Sequence, residues 1–77
     1  MPTIRVLLFA SLKEQLGWEE KTLPFTPGLR IKDLKNQLLP NQLNHPCLFA
    51  CNLNFVESSH LISPGDEIAL IPPVSGG

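Results

Sequence analysis

The chain has 77 residues, 43% of them hydrophobic and 17% charged, which is typical of one small folded domain and argues against disorder. This length leaves no room for a separate catalytic domain, and a formal net charge of −1 gives no support to nucleic-acid binding. The longest apolar run, residues 6–10, is far too short to cross a membrane, and it predicts a strand rather than a secretory signal. We therefore expect a cytoplasmic domain with no membrane partner.

The chain begins with the pattern of a strand and a short helix. Residues 3–10 are rich in β-branched and apolar side chains and predict one central strand. Ser11 is expected to cap a helix, with Glu14 at the capping-box position and Gly17 as the C-terminal stop. Residues 21–25 predict a second strand, at an edge of the sheet because Pro24 cannot donate a ladder hydrogen bond.

A longer helix follows a turn. Residues 26–29 (Thr-Pro-Gly-Leu) have Pro and Gly at the central positions of a type II turn. The next apolar side chains recur at helical spacing and form one stripe: Ile31, Leu34, Leu38 and Leu39. Pro40 is expected to end this helix, and residues 41–46 to form a loop.

The last third of the chain predicts strands. Residues 48–53 fit a mostly buried strand, and Asn54 a turn into a short segment at 55–56. Residues 63–66 (Ser-Pro-Gly-Asp) repeat the type II turn before the last strand, residues 67–71. The order of elements predicts an α+β roll with a mixed sheet covered by one main helix and a short one.

The charges are unevenly distributed. All six basic residues precede position 36: Arg5, Lys13, Lys21, Arg30, Lys32 and Lys35. The acids Glu57, Asp66 and Glu67 follow without any Lys or Arg. A partner that binds the C-terminal end is therefore expected to offer a basic surface.

The spacing of the histidines and cysteines along the chain does not predict an active site. His45 and His60 have no acidic partner at a telling distance along the chain and are interpreted as surface or capping residues. Cys47 and Cys51 lack the spacing of a zinc knuckle and are interpreted as free thiols in a reducing compartment. We predict no metal, no bound cofactor and no self-contained active site.

The end of the chain is the more informative feature. Pro72 and Pro73 supply no N–H group, so the sheet ladder is expected to stop at Ile71 and residues 72–77 to project as a flexible tail about 20 Å long. Gly76 and Gly77 can pass a narrow channel because they lack a Cβ. The reactive group expected at the tip is the α-carboxylate of Gly77, which becomes an electrophile only after activation.

Three segments carry a resemblance to a known family. "LFASLKEQLG" at residues 8–17, the Asn52 strand and "ISPGDEIALIPPVSGG" at residues 62–77 together resemble the small-subunit family of molybdopterin synthase, among the ubiquitin-like sulfur carriers. This resemblance implies a ubiquitin-like β-grasp domain over residues 1–71 and a tail over 72–77. It covers essentially the whole chain.

The resemblance also implies a reaction sequence and its partners. An adenylyltransferase resembling the ubiquitin-activating enzyme uses ATP to adenylate Gly77, and a persulfide sulfur donor enzyme then converts the terminus to a thiocarboxylate. The tail, including Pro72, Pro73, Val74, Ser75 and Gly76, enters the large synthase subunit. There its sulfur passes to the precursor pterin, precursor Z, to build the molybdopterin dithiolene. The chain itself is a sulfur-donating, non-catalytic subunit in this scheme.

The family docks its partners through an apolar patch, which maps by position to Phe9, Phe55 and Ile71. Core packing is the alternative role for each of these side chains. Three other functions remain open: a sulfur carrier for thiamine or another thiolated product, a protein modifier joined through Gly77 to a lysine, and an interaction domain whose glycine end has no chemical role.

Overall fold

The computed structural model describes residues 2–38 and 47–72. Its elements, in chain order, are the strands and helices β1 (Thr3–Leu8), α1 (Ala10–Leu16), β2 (Glu20–Pro24), α2 (Ile31–Leu38), β3 (Leu48–Cys51), β4 (Asn54–Val56) and β5 (Glu67–Ile71). The predicted α+β class, with one main helix and one short helix on a mixed sheet, is confirmed. In the described ranges no helix has the length and apolar character needed to cross a membrane.

The five strands form one sheet in the order β2-β1-β5-β3-β4. The last strand, β5, lies at the centre, parallel to β1 and antiparallel to β3. β2 lies at one edge of the sheet, as the sequence predicts. An edge strand has a neighbouring strand on one side only, so the sheet tolerates the missing N–H group of Pro24. The strand that leads to the C-terminal end is therefore hydrogen-bonded on both sides.

The core lies between one face of this sheet and the two helices. Alternate residues of β1 and β5 point into it and are almost completely buried: Ile4, Val6, Leu8, Ile68 and Leu70. Leu12 of α1 and Ile31 and Leu34 of α2 pack against them. The apolar stripe predicted for α2 is thus its buried face, and Leu39 of that stripe lies outside the described residues, as do Pro40 and the loop 41–46.

Both predicted type II turns are present. Gly28 and Gly65 have φ of +84° and +83°, in the left-handed region that glycine favours. The N–H of Leu29 donates to the carbonyl of Thr26 at 3.2 Å, and the N–H of Asp66 to that of Ser63 at 3.1 Å. The second turn sets the start of β5 at Glu67, as predicted.

The start of α1 differs from the prediction. β1 ends at Leu8, two residues earlier than expected, and the helix begins at Ala10. Phe9 is the N-cap with extended backbone and no side-chain cap, so Ser11 lies inside the helix and the predicted capping box with Glu14 is wrong. The Phe9 N–H still donates to the Leu70 carbonyl of β5, but the chain then leaves the sheet because Ala10 has a φ of +50° and the Phe9 carbonyl accepts the Leu12 N–H at 3.2 Å. Gly17, with φ of +79°, ends the helix as predicted.

The turn between β3 and β4 also differs from the prediction. β3 ends at Cys51, and the tight turn is formed by Asn52 and Leu53, which both have positive φ. Asn54, predicted as the turn residue, is the first residue of β4 and pairs with Cys51. Positive φ at both central residues is the geometry of a hairpin turn, which Asn adopts readily, and this places the turn one step earlier.

Candidate functional site

One face of the sheet is left uncovered by the helices, and strand register decides which side chains lie on it. Leu7 pairs with Ala69, Ala69 with Ala50, and Ala50 with Phe55. These four side chains form a row across β1, β5, β3 and β4, because paired residues point to the same face. Since the neighbouring residues in these strands point into the core, this row lies on the opposite face.

A second row completes the surface near the end of β5. Leu48 pairs with Ile71, and Phe9 continues the outward alternation beyond Leu7. We call the combined surface the apolar face; it comprises Leu7, Phe9, Leu48, Ala50, Phe55, Ala69 and Ile71.

The predicted patch residues lie on this apolar face. Phe55 leaves 74% of its surface exposed and Phe9 leaves 44%. Ile71 is partly exposed and lies at the end of β5. Large apolar side chains with this exposure contribute little to the core of the isolated chain, and contiguous exposed apolar surface is typical of an interaction site.

Leu48, Ala50 and Ala69 also belong to the apolar face, although the sequence alone does not predict them there. Leu48 is 48% exposed, and the two alanines lie between the large side chains of the apolar face. Alternation within each strand suggests an outward position for each of them, but only the register shows that they meet. Because alanine side chains are small, the centre of the apolar face is recessed relative to its borders at Phe55 and Ile71.

Charged side chains border the apolar face at the start of β5, away from Ile71. Arg5 donates to Glu20 at 3.1 Å and approaches Glu67 at 3.2 Å. These pairs link β2, β1 and β5 across the outer face. They are solvent-exposed and contribute little stability, but they mark where the apolar surface ends.

The tail predicted at residues 72–77 is described only at Pro72. This residue follows the last strand and is buried, so any projecting segment starts after it. Pro73, Val74, Ser75, Gly76 and Gly77 lie outside the described residues, and their predicted roles in insertion and sulfur transfer stay predictions.

A depression beside α1, with a volume of about 360 Å³, is lined by Lys13, Glu14, Gly17, Trp18 and Glu19. The ammonium of Lys21 lies 4.8 Å from the centre of the Trp18 ring, at a distance suited to a cation–π contact. This lining includes neither a thiol nor an imidazole. This depression therefore offers no nucleophile and base pair.

A second group of polar side chains lies on the core side of the sheet. Cys51, His60 and Asp66 are separated by nine and six positions along the chain, yet their donor atoms all lie within 4.8 Å of one another. The end of β3, the loop after β4 and the turn before β5 bring them together. Spacing along the sequence gave no signal for this group, because the three residues come from different segments.

The carboxylate of Asp66 is the centre of this group. It accepts the Ser63 N–H at 2.8 Å and the Cys51 thiol at 3.3 Å on Oδ2, and the Asn52 side-chain amide at 3.0 Å on Oδ1. Partial burial acts to raise the pKa of Asp66, but these hydrogen bonds outweigh it and hold that pKa below its usual range. Burial, followed by the hydrogen bond to Asp66 and its charge, raises the pKa of the Cys51 thiol to about 11. Cys51 is therefore a protonated thiol at neutral pH.

Comparison with known proteins assigns the family. The ThiS family model matches residues 6–77. The chain belongs to the ThiS family. A molybdopterin synthase sulfur carrier subunit from Chlamydomonas reinhardtii is 35% identical over 81 residues, which cover 96% of this chain and 98% of the relative. The resemblance drawn from residues 8–17, the Asn52 strand and residues 62–77 is confirmed.

Two solved structures extend the comparison. SAMP1 from Haloferax volcanii has a TM-score of 0.77 and 24% identity, with 97% of this chain and 99% of that chain covered. A complex of subunits 1 and 2 of the molybdopterin-converting factor from Helicobacter pylori includes a chain with a TM-score of 0.64 and 26% identity, with 97% and 99% covered. The ubiquitin-like β-grasp fold predicted for this member of the ThiS family is confirmed.

Proposed function

We propose that this chain is the sulfur carrier subunit of molybdopterin synthase and that Gly77 carries the sulfur as a terminal thiocarboxylate. The observation that carries the proposal is the position of the apolar face. It surrounds the end of β5, the strand that leads to Gly77. A partner that covers this face is thereby positioned to receive the residues that follow Pro72.

The proposed chemistry takes place on the terminal carboxylate. An activating enzyme joins it to AMP and releases pyrophosphate. The terminal sulfur of a persulfide then attacks the acyl carbon, AMP leaves, and a thiol supplies two electrons to cleave the S–S bond of the acyl disulfide. The product is a thiocarboxylate, whose sulfur is a nucleophile toward the precursor pterin.

Transfer regenerates the carrier. The thiocarboxylate sulfur attacks a carbon of the pterin side chain and displaces an oxygen substituent, so that a C–S bond forms as a C–O bond breaks. Water then cleaves the acyl–sulfur bond, which leaves the sulfur on the pterin and restores the carboxylate of Gly77. A dithiolene contains two sulfur atoms, so two loaded termini are consumed for each molybdopterin. None of these steps needs Cys47 or Cys51, which agrees with the protonated state of the Cys51 thiol.

The proposed partner in transfer is the large subunit of molybdopterin synthase. The related Helicobacter pylori protein forms a complex with the second subunit of its converting factor, and the names of relatives from Chlamydomonas reinhardtii, Arabidopsis thaliana and Homo sapiens place them in the same synthase. The described outer surface of this chain offers apolar side chains at its centre and charged pairs at one border. This arrangement matches an interface with an apolar core and a polar rim.

The activating enzyme and the sulfur donor are further proposed partners, and ATP is consumed by the activating enzyme rather than held by this chain. The acids Glu57, Asp66 and Glu67 lie in the C-terminal third of the chain, which contains no Lys or Arg. A basic surface on each partner would complement them and speed encounter.

Intact-mass measurement tests the proposal. The full chain is isolated from cells that make the cofactor and from cells that lack the activating enzyme. We expect a shift equal to the replacement of one oxygen by sulfur in the first sample alone, and loss of that shift when Gly77 is deleted. Covalent adducts to lysines of other proteins would support a protein modifier instead. An unmodified terminus in both samples would refute a carrier function.

Co-purification then decides the pathway. A large synthase subunit retained by the wild-type chain supports the assignment to molybdopterin, whereas retention of a thiazole-forming partner would assign the carrier to thiamine. The Ile71→Asp variant tests whether retention of the partner depends on the apolar face, because it places a charge at the edge of that face and leaves Gly77 intact. It should weaken retention of the partner.

A further inference from the structure

We propose that Cys51, His60 and Asp66 form a binding site for one divalent transition-metal ion of the zinc type. The three side chains supply one sulfur, one imidazole nitrogen and one carboxylate oxygen, all within 4.8 Å of one another. None of these three side chains takes part in the chemistry proposed at Gly77.

The distance between two of the donors already suits a shared metal ion. Cys51 Sγ lies 3.3 Å from Asp66 Oδ2. Tetrahedral zinc, with bonds of about 2.3 Å to sulfur and about 2.1 Å to oxygen, places such a pair about 3.6 Å apart. A metal ion can therefore replace the thiol proton that now lies between them. His60 must move by only about 1 Å to complete the third bond, because ligands of one zinc lie less than 4 Å apart.

The carboxylate is already oriented by other hydrogen bonds. The N–H of Ser63 and the side-chain amide of Asn52 hold the two oxygens of Asp66. Outer hydrogen bonds of this kind fix the direction of a ligand and raise metal affinity. They do not depend on the thiol proton, so they remain when a metal ion displaces it.

The backbone around His60 is also fixed. Its N–H donates to the carbonyl of Glu57 at 3.0 Å, and its carbonyl accepts the N–H of Ile31 at the start of α2. The backbone that carries the imidazole is thus tied to the helix. Its charge interaction with Asp66 is one of the effects that lower the pKa of that carboxyl.

The donor set selects the class of metal. A thiolate and an imidazole favour Zn²⁺, Co²⁺ and related ions over Mg²⁺ and Ca²⁺, which take oxygen ligands. His60 and Asp66 are partly exposed, so a fourth position is open to water. Binding requires loss of the Cys51 proton to solvent, and the resulting thiolate is neutralised by the metal charge.

The test uses the full-length chain after chelation and dialysis, with Co²⁺ as the spectroscopic probe. One equivalent should produce a thiolate-to-cobalt charge-transfer band and the visible bands of tetrahedral Co²⁺. Zn²⁺ should displace these bands and Mg²⁺ should not. Absence of binding, or Co²⁺ bound without the charge-transfer band, would overturn the proposal.

Paired variants locate the site. Cys47→Ala is the matched control, since it removes the other thiol of the chain and should keep the band, whereas Cys51→Ala should lose it. His60→Ala changes a partly exposed side chain and should lower the affinity by roughly tenfold or more while circular dichroism shows a folded chain. This variant decides the matter even where Cys51→Ala fails to fold. Wild-type affinity in His60→Ala, or loss of the band in Cys47→Ala alone, contradicts the assignment.

The metal test is independent of the proposed sulfur transfer. Its readout is absorption of the purified chain, and neither the activating enzyme nor the large subunit takes part. A chain that binds Co²⁺ but is never thiolated would refute the carrier function alone, and a thiolated chain without a metal band would refute the metal site alone.

Discussion

Truncation of Phe55 to alanine tests whether the apolar face binds the large subunit. Phe55 is 74% exposed in the isolated chain, so docking can remove about 150 Å² of it from water, given about 200 Å² for a buried aromatic side chain. At about 25 cal/mol per Å² this corresponds to an upper limit of about 4 kcal/mol. The Cβ that alanine retains and incomplete coverage reduce the expected loss of binding free energy to about 2 kcal/mol, or about 30-fold in Kd.

The assay is titration of the large subunit with each variant by calorimetry, alongside thermal unfolding of the chain alone. Phe55→Ala should leave the free energy of unfolding of the isolated chain within about 0.5 kcal/mol, because the ring contributes little to the core. Leu61→Ala is the matched control, since Leu61 is 50% exposed but bridges to Arg30, outside the five-stranded sheet. Equal loss of affinity in both variants, or unchanged affinity in Phe55→Ala, would show that the interface lies elsewhere.

Three further predictions concern the fold. Leu70→Ala removes a completely buried side chain and should lower the free energy of unfolding by about 2–5 kcal/mol in denaturant titration. Gly65→Ala should lower it by about 1–2 kcal/mol, because the new Cβ meets no neighbour but φ is +83°. In metal-free buffer, stability should fall as the pH drops below about 4, the ordinary range for Asp, because the folded-state pKa of Asp66 is lowered. Asp66→Asn should reduce this acid dependence; an unchanged profile would contradict it.

Local signals predicted much of the fold. The two Pro-Gly turns, the stop at Gly17 and the last strand were all readable from residues adjacent in the chain. The errors arose where the backbone adopts a conformation that the residue types do not predict. Ala10, with a φ of +50°, turns the chain out of β1, and Leu53, with a φ of +72°, takes part in the turn before β4.

The candidate sites depend on contacts between segments that are distant in the sequence. Phe55 and Ile71 entered the predicted patch only through the family resemblance, because composition alone favours core positions for such residues. The alanines between them were missed, since their role depends on the pairing of Ala50 with Ala69. Cys51 and Asp66 were interpreted separately, and the 3.3 Å contact between them follows from the antiparallel pairing of β3 and β5.

The central position of β5 fits the proposed binding of the residues that follow it by partner proteins. Leu70 and Ile71 are adjacent, yet strand alternation places the first in the core and the second on the apolar face. Alternate residues of β5 thus stabilise the core or contribute to the proposed binding surface. β5 is hydrogen-bonded to both β1 and β3, and Pro72, which follows it, is buried. Force applied to the residues after Pro72 is therefore resisted by strand pairing on both sides of β5. A partner that held the terminus during the proposed chemistry would therefore pull on a strand paired on both sides, and an edge strand, paired on one side only, would resist less well.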